Sequence, residues 1–208
     1  MSKNGPWLLS VDRGEVCAEF SLSPAADSSG PGVATFAFDT LQALYEALDR
    51  IYRLGISLPD APFQAFQSAV RDLPLATEAE RLVIQRVGQN LFREALLAYW
   101  GGRCPMTGIT NSELLRASHI VPWAECDSDQ KRLDVHNGLL LSALWDAAFD
   151  AGLVSFGDDG APLTSPRLSE TGATALGLQA GGRLSGLTAG HRENLTWHRM
   201  RYGFVRNP

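Results

Sequence analysis

The chain has no apolar run near the roughly 18–20 residues that a membrane-spanning helix needs, so no segment reads as a span. Cysteine is scarce: Cys17, Cys104 and Cys126 are the full complement, odd in number and far apart. That does not look like a disulfide framework, it leaves too few thiols for a four-cysteine zinc site, and it fits a reducing cytoplasm. Positive charge is in deficit as well. Lys and Arg number 18 against 23 Asp and Glu, for a net charge of −5 and an isoelectric point of about 5.3. Such a chain makes a poor general nucleic-acid coat, because non-specific affinity comes mainly from Lys and Arg on phosphates. One local basic patch remains compatible with it. The opening stretch, MSKNGPWLLSVDRGE, has one early Lys but no long apolar core and no small-residue cleavage site, so no secretory signal is expected.

Within those bounds the composition is ordinary. The 208 residues are 45% hydrophobic and 20% charged, enough to bury a core in one domain or two small ones. The first stretch reads as short β-prone segments: Trp7–Val11, Val16–Phe20 and Val33–Phe38, with Asp12-Arg13-Gly14 as a tight turn between the first two. Ser23 to Gly32 is rich in Ser, Pro, Ala and Gly, as a flexible loop is. Helical spacing then begins. Leu41, Leu44, Leu48, Ile51 and Tyr52 form one stripe, with Asp39 or Thr40 as N-cap and Gly55 as the stop. Phe63, Phe66 and Val70 mark a short helix that Pro74 ends. Thr77 and Glu80 are spaced as a capping box for a helix from Glu78 to about Trp100, with Leu82, Val83, Val87, Leu91, Leu96 and Leu97 as its apolar positions. Gly101-Gly102 stops it.

Beyond Gly102 the pattern changes. Leu114 to Val121 reads as a strand running into Pro122-Trp123, and Glu125 to Asp134 as a polar loop. Asn137-Gly138 is a turn signal ahead of the apolar strand Leu139-Leu140-Leu141. Ala143 to Ala151 reads as a short helix ended by Gly152, and Leu153 to Thr164 as a hairpin. Ser165 to Leu187 is weakly patterned, and Thr188 to Tyr202 reads as a final helix. The segment from His191 to Pro208 carries Arg192, Arg199, Arg201 and Arg206 against one acid, Glu193. It is either a solvated surface face or a local phosphate-binding patch. Cys104 with Thr107 looks like half of a zinc knuckle whose second cysteine is missing, so Cys104 reads as a small buried residue.

The chemistry lies between residues 114 and 150. His119 sits near the end of one strand, Asn137 at the entry to the next, and Asp146 and Asp150 four apart on one helix face. That order can bring a base, an amide and a carboxylate to one point. The blocks Tyr99 to Gly108, Ala117 to Trp123, Asn137 to Leu141 and Asp146 to Leu153 together resemble the HNH endonucleases, in particular the branch found in restriction-type and modification-dependent nucleases. The resemblance is good from about Thr77 to Phe156 and weak in the tail.

The resemblance implies an α+β protein. A small strand/helix module over residues 1–76 precedes a ββα-metal nuclease domain with flanking helices over residues 77–208. It implies a hydrolase acting on DNA, with His119 as general base. Asn137 either ligates the ion or pins the loop that holds the histidine. Asp146 stands where the family has its last metal ligand, and an oxygen ligand set favours Mg²⁺ or Mn²⁺. Two positions depart from the family pattern. Ser118 replaces the Asp or His that often precedes the base, leaving a weak ligand. Trp145 or Asp146 occupies the place of the final histidine, and Asp146 is the chemically adequate choice. Arg116, Arg192, His198, Arg199 and Arg201 are the candidate DNA contacts. A homodimer is compatible with cutting both strands, and restriction-like defence is the biology suggested by analogy. Residues 1–76 would read DNA, a modified base or a protein partner. Two other readings stand beside this one: an HNH-fold DNA-binding protein with an impaired metal site, and an assembly protein whose first half binds a partner.

Overall fold

The computed structural model describes residues 5–25, 30–74 and 77–204. The boundary expected near Ala76, the centre of the Ser23–Gly32 stretch and Arg206 lie outside them. Among the described residues the architecture is α+β, with helices around three two-stranded antiparallel sheets.

Strand β1 (Trp7–Val11) pairs with β2 (Ala34–Phe38) in the register Trp7↔Phe38 to Val11↔Ala34. Between them the expected strand over Val16–Phe20 is instead a helix, α1 (Gly14–Glu19). Val16 and Phe20 explain the difference. They lie four apart and are both buried, which is one helix face and also one strand face. With β1 already paired to β2, the helical option wins.

Helix α2 (Leu41–Ser57) starts at Thr40, whose hydroxyl accepts the Ala43 amide at 3.2 Å. It runs through Gly55 and ends where Leu58 is forced into extended geometry by Pro59. Its core face is Leu44, Ala47, Ile51 and Leu54, so Leu41, Leu48 and Tyr52 of the expected stripe point outward. Helix α3 (Asp60–Val70) follows directly.

Helix α4 (Glu78–Tyr99) is the spine. The Thr77–Glu80 capping box forms in both directions, at 3.3 and 2.8 Å. Its buried face is Phe92, Ala95, Leu96 and Tyr99, while Leu82 and Val83 are exposed. Gly101 and Gly102 both take positive φ and end it.

The nuclease-like unit is β3 (Leu115–His119), α5 (Asp129–Leu133), β4 (Gly138–Ser142) and α6 (Ala143–Asp150). Helix α5 lies inside the expected polar loop, capped by Ser128. Strands β3 and β4 pair from Leu115↔Ser142 to His119↔Gly138, and α6 packs on both. Gly138 is not there for a turn: its backbone is extended, but a Cβ would stand 2.6 Å from the Phe92 ring and under 3 Å from Leu96. Its missing side chain lets β4 press against α4. The hairpin β5 (Val154–Phe156) and β6 (Pro162–Thr164), the helix α7 (Glu170–Ala175) and the last helix α8 (Ala189–Tyr202) complete the chain.

One buried apolar cluster runs from Val11 in β1 to Leu195 in α8 and takes in α2, α3, α4, β4 and α6. Each fully buried Leu or Phe in it, such as Leu54, Leu96, Leu139 and Phe149, stabilises the fold by about 1.5–3 kcal/mol. The site therefore sits on a frame that the first 70 residues help to pack.

Candidate active site

Strand β3 ends at His119 beside a cleft of about 370 Å³ whose walls include Ser118, His119, Pro122, Trp123, Asp150 and Tyr202. The imidazole is partly buried. It lies flat on Phe92 of α4, with ring centroids 3.8 Å apart, and Trp123 meets it edge-on at 5.7 Å. Room for that indole comes from Gly88 of α4, where a Cβ would lie 2.5 Å from the Trp123 ring. Trp123 thus packs beside the histidine. His119 Nε2 is 2.9 Å from the Arg132 carbonyl. A carbonyl only accepts, so Nε2 carries the proton and Nδ1 keeps a free lone pair. Burial holds the imidazole down at about 4, outweighing the support of that carbonyl for the charged form. Near neutral pH the ring is therefore neutral and able to take a proton.

Asn137 is fully buried. Its Oδ1 accepts the Val121 amide at 2.8 Å, and its Nδ2 donates to the Val121 carbonyl at 3.1 Å and the Lys131 carbonyl at 3.2 Å. Its own carbonyl accepts the Ile120 amide at 3.0 Å. Of the two roles expected for it, the contacts seen are those of a pin. They fasten the start of the loop after His119 to the segment that supplies the Arg132 carbonyl.

Ser118, buried, points to α6, where its hydroxyl lies 3.5 Å from Asp150 Oδ1 and also supports the ionised form of Asp146. Burial raises the Asp146 carboxyl above its ordinary value. Asp150 is pushed up to about 6 by burial first and by the Asp146 charge second, with Ser118 working the other way. Asp150 stays open to solvent on one side, so water moderates that shift. Arg116 shares the Ser118 face of β3 and is the cation whose field favours an ionised Asp146. Trp145, the other option for the ligand place, is in the core: its indole N–H donates to the Leu176 carbonyl at 3.1 Å and its ring stacks on Phe156.

The tail differs from the sequence expectation. His198 and Arg199 are largely buried, and His198 borders the cleft beside His119 rather than standing on an open surface. His198 stacks on Phe149 at 3.8 Å, and its nitrogens engage Ser155 Oγ and the Phe149 carbonyl. Arg199 donates to the Phe156 carbonyl and to Asp158, both at 2.8 Å. The reason is that α8 packs on the β5 strand, and its inward face must satisfy that strand's end. His191, seven residues before His198 on α8, is also buried. Arg192, Arg201 and Arg116 are exposed, although Arg192 bonds the Asp158 carbonyl. Arg103 donates to the Gly108 carbonyl, and Asp150 faces the cleft. The i, i+4 spacing from Asp146 was the available signal. Phe92 and the Arg132 carbonyl had none, because a stacking partner and a backbone oxygen leave no mark in a motif.

The family model of the HNH endonucleases matches residues 104–157, from Cys104 through β3, β4 and α6 to the end of β5. Over this segment the chain is similar to the HNH endonucleases. No curated protein matches the chain. The HNH segment holds His119, Asn137, Asp146 and Asp150 within one ββα unit. Among the described residues no group of three His, Cys, Asp or Glu side chains forms a ready-made metal cage. The residues present nonetheless fit a hard divalent ion of the Mg²⁺ kind, which is commonly held by one or two carboxylates plus substrate oxygens and water. Asp146 and Asp150 share a face of α6, and the Asp146 charge raises Asp150, a repulsion that a nearby cation would relieve. No helix among the described residues is long and apolar enough to cross a membrane.

Proposed function

We propose that the protein is a metal-dependent DNA endonuclease in which His119 is the general base. The observation that carries this reading is the His119 tautomer: Nε2–H is committed to the Arg132 carbonyl, which leaves Nδ1 as a proton acceptor beside the cleft that Asp150 lines. In the reaction, Nδ1 takes a proton from water as the water oxygen bonds to phosphorus. The bond from phosphorus to the leaving sugar oxygen breaks, and that oxygen takes a proton from solvent. The products are a phosphomonoester and an alcohol. Asp146 and Asp150, with Ser118 between them, would hold Mg²⁺ or Mn²⁺, which when bound supplies charge stabilisation to the phosphate and the leaving oxygen. Asn137 keeps the loop and hence the Arg132 carbonyl in place. Exposed Arg116 and Arg201 offer contacts to phosphates, and a restriction-like role is the biology that suits such an enzyme.

The test is cleavage of methylated and unmethylated plasmid with Mg²⁺, Mn²⁺, Ni²⁺ or EDTA, comparing wild type with His119→Ala and Asp146→Ala. Metal-dependent cutting lost in both variants supports the assignment. Cutting lost only in His119→Ala moves the ligand role to Asp150. Ser118, a weak ligand, and Trp145, held in the core, favour one rival, a DNA-binding protein with an impaired centre; DNA binding without cutting in any metal selects it.

A further inference from the structure

We infer that Glu19, on the first helix of the N-terminal module, is a positioning residue for the HNH site, acting through His136 on the turn that carries Asn137. The inference rests on the nuclease reading above for its consequence in catalysis, and on contacts for everything else. Glu19 is the last residue of α1, far in sequence from the HNH segment. Its side chain is only 13% exposed. One carboxylate oxygen accepts the His136 Nε2–H at 2.6 Å and the other accepts the Tyr99 hydroxyl at 2.7 Å. The second ring nitrogen of His136 faces Asp134 Oδ1 at 2.9 Å. An imidazole with a carboxylate on each nitrogen donates from both, so the ring is locked in plane and in place between the two acids.

That lock is one residue from Asn137. The same Asp134 carboxylate caps the turn by accepting the His136 amide at 2.8 Å, and the Asp134 carbonyl accepts the Asn137 amide at 2.9 Å. Asn194 of α8 donates to the His136 carbonyl at 2.8 Å and closes the other side. From Asn137 the bonds run on to Ile120, Val121 and Lys131, and the next carbonyl, that of Arg132, holds His119. The path consists of hydrogen bonds 2.6–3.2 Å long, joined through adjacent backbone. The remaining groups around the lock are Tyr99 and His191, whose rings lie 6.0 and 5.2 Å from that of His136, and Lys131, which bonds Asn194.

A buried carboxylate is a costly way to join two packed surfaces, since apolar side chains of the same volume would do so without desolvating a charge. What the carboxylate adds is direction: it sets the rotation of the His136 ring and so the position of the turn. The role this gives residues 1–76 is to brace the nuclease loop from behind.

The experiment uses the full chain with Glu19→Ala, Glu19→Gln and, as control, Glu15→Gln on the same helix, where Glu15 is exposed and pairs with Arg13. Glutamine keeps the volume but offers one oxygen where two donors need one each, so it separates the carboxylate's direction from its packing. In Mg²⁺-dependent plasmid cleavage, both Glu19 variants should lose about 10–100-fold in kcat, the range seen when a group that orients a site's working residues is removed. KM should change less than about twofold, as for an interaction expressed in the reaction rather than in substrate binding. Backbone amide exchange should quicken over residues 120–137 and stay unchanged over the β5–β6 hairpin. If Glu19→Gln cuts and exchanges like wild type, or if protection falls evenly across the whole chain, the inference is overturned. Should the wild type not cut, the nuclease reading fails on its own account, and the exchange pattern of Glu19→Gln still decides whether Glu19 holds the loop.

Discussion

Phe92 lies flat against His119, with ring centroids 3.8 Å apart and the planes 16° from parallel. The stacking buries one face of the imidazole and is part of why its charged form is disfavoured, holding it at about 4. In the proposed reaction the neutral ring is the base, so cleavage should fall only as pH drops through that low value. Phe92→Leu should admit water, raise the imidazole toward its ordinary 6.5, and move the acid limb of the kcat profile upward. Phe92→Ala should do the same and also destabilise the fold by about 3–5 kcal/mol. An acid limb that stays put in Phe92→Leu would show that the ring does not set the basicity of His119.

The proposed metal role of Asp146 and Asp150 can be read without any cleavage. Asp150 is raised to about 6, so the folded chain binds more protons than the unfolded one between its ordinary 3.8 and 6. Stability therefore falls as pH climbs through that window. Asp150→Asn removes the repulsion, and near neutral pH the metal-free variant should melt slightly higher than wild type, modestly because water screens the pair. Added Mg²⁺ should raise the melting temperature of wild type and do much less for the variant. Equal metal-induced shifts in the two proteins would remove Asp150 from the ligand set.

Arg199 and Arg201 separate packing from phosphate contact two residues apart on α8. Arg199→Ala leaves the Phe156 carbonyl and Asp158 without their partner, and a buried acceptor stranded in this way costs about 1–3 kcal/mol. Arg201→Ala should leave stability within about 0.5 kcal/mol. It should instead lower the slope of log binding constant against log salt for DNA by about 1. Urea unfolding and salt-dependent DNA binding on both variants check the pair. A salt slope that changes for Arg199→Ala and not for Arg201→Ala reverses the assignment.

How much of this was legible in the sequence depends on how local the signal is. Thr77 and Glu80 announced their capping box because both partners lie within one helical turn. The order His119, Asn137, Asp146 announced the ββα unit because strand, strand and helix follow one another with short connections. Val16 to Phe20 misled because a four-residue spacing of apolar side chains serves a helix and a strand equally, and only pairing of Trp7–Val11 with Ala34–Phe38 decides. The tail misled for the opposite reason. Arg199 and His198 look like surface groups until α8 is laid on β5, and the bonds that make their burial tolerable go to Phe156, Asp158, Phe149 and Ser155, more than 40 positions away. Glu19 belongs to the same class, since its partner His136 lies 117 residues on.

The histidines give the fold a pH optimum with different causes on its two sides. His198 donates from Nε2 to the Phe149 carbonyl and accepts from Ser155 at Nδ1. His191 accepts the Thr188 amide at Nδ1. Burial holds both at about 4, below the ordinary 6.5 that they recover on unfolding. Between 6.5 and 4 the unfolded chain therefore binds protons that the folded chain does not, and stability falls as pH is lowered. His136 works the other way. Asp134 and Glu19 outweigh its burial and raise it to about 9, so its contribution is complete below 6.5 and is lost as pH rises through 9. Each histidine changes stability by at most about 1.4 kcal/mol per pH unit. The urea midpoint should peak near pH 6.5 and decline on both sides. His198→Gln should flatten the acid side and leave the alkaline side alone; His136→Gln should lower the peak and remove the decline above it. An alkaline decline that survives His136→Gln would mean that another group titrates there and that His136 is not held charged by its two carboxylates.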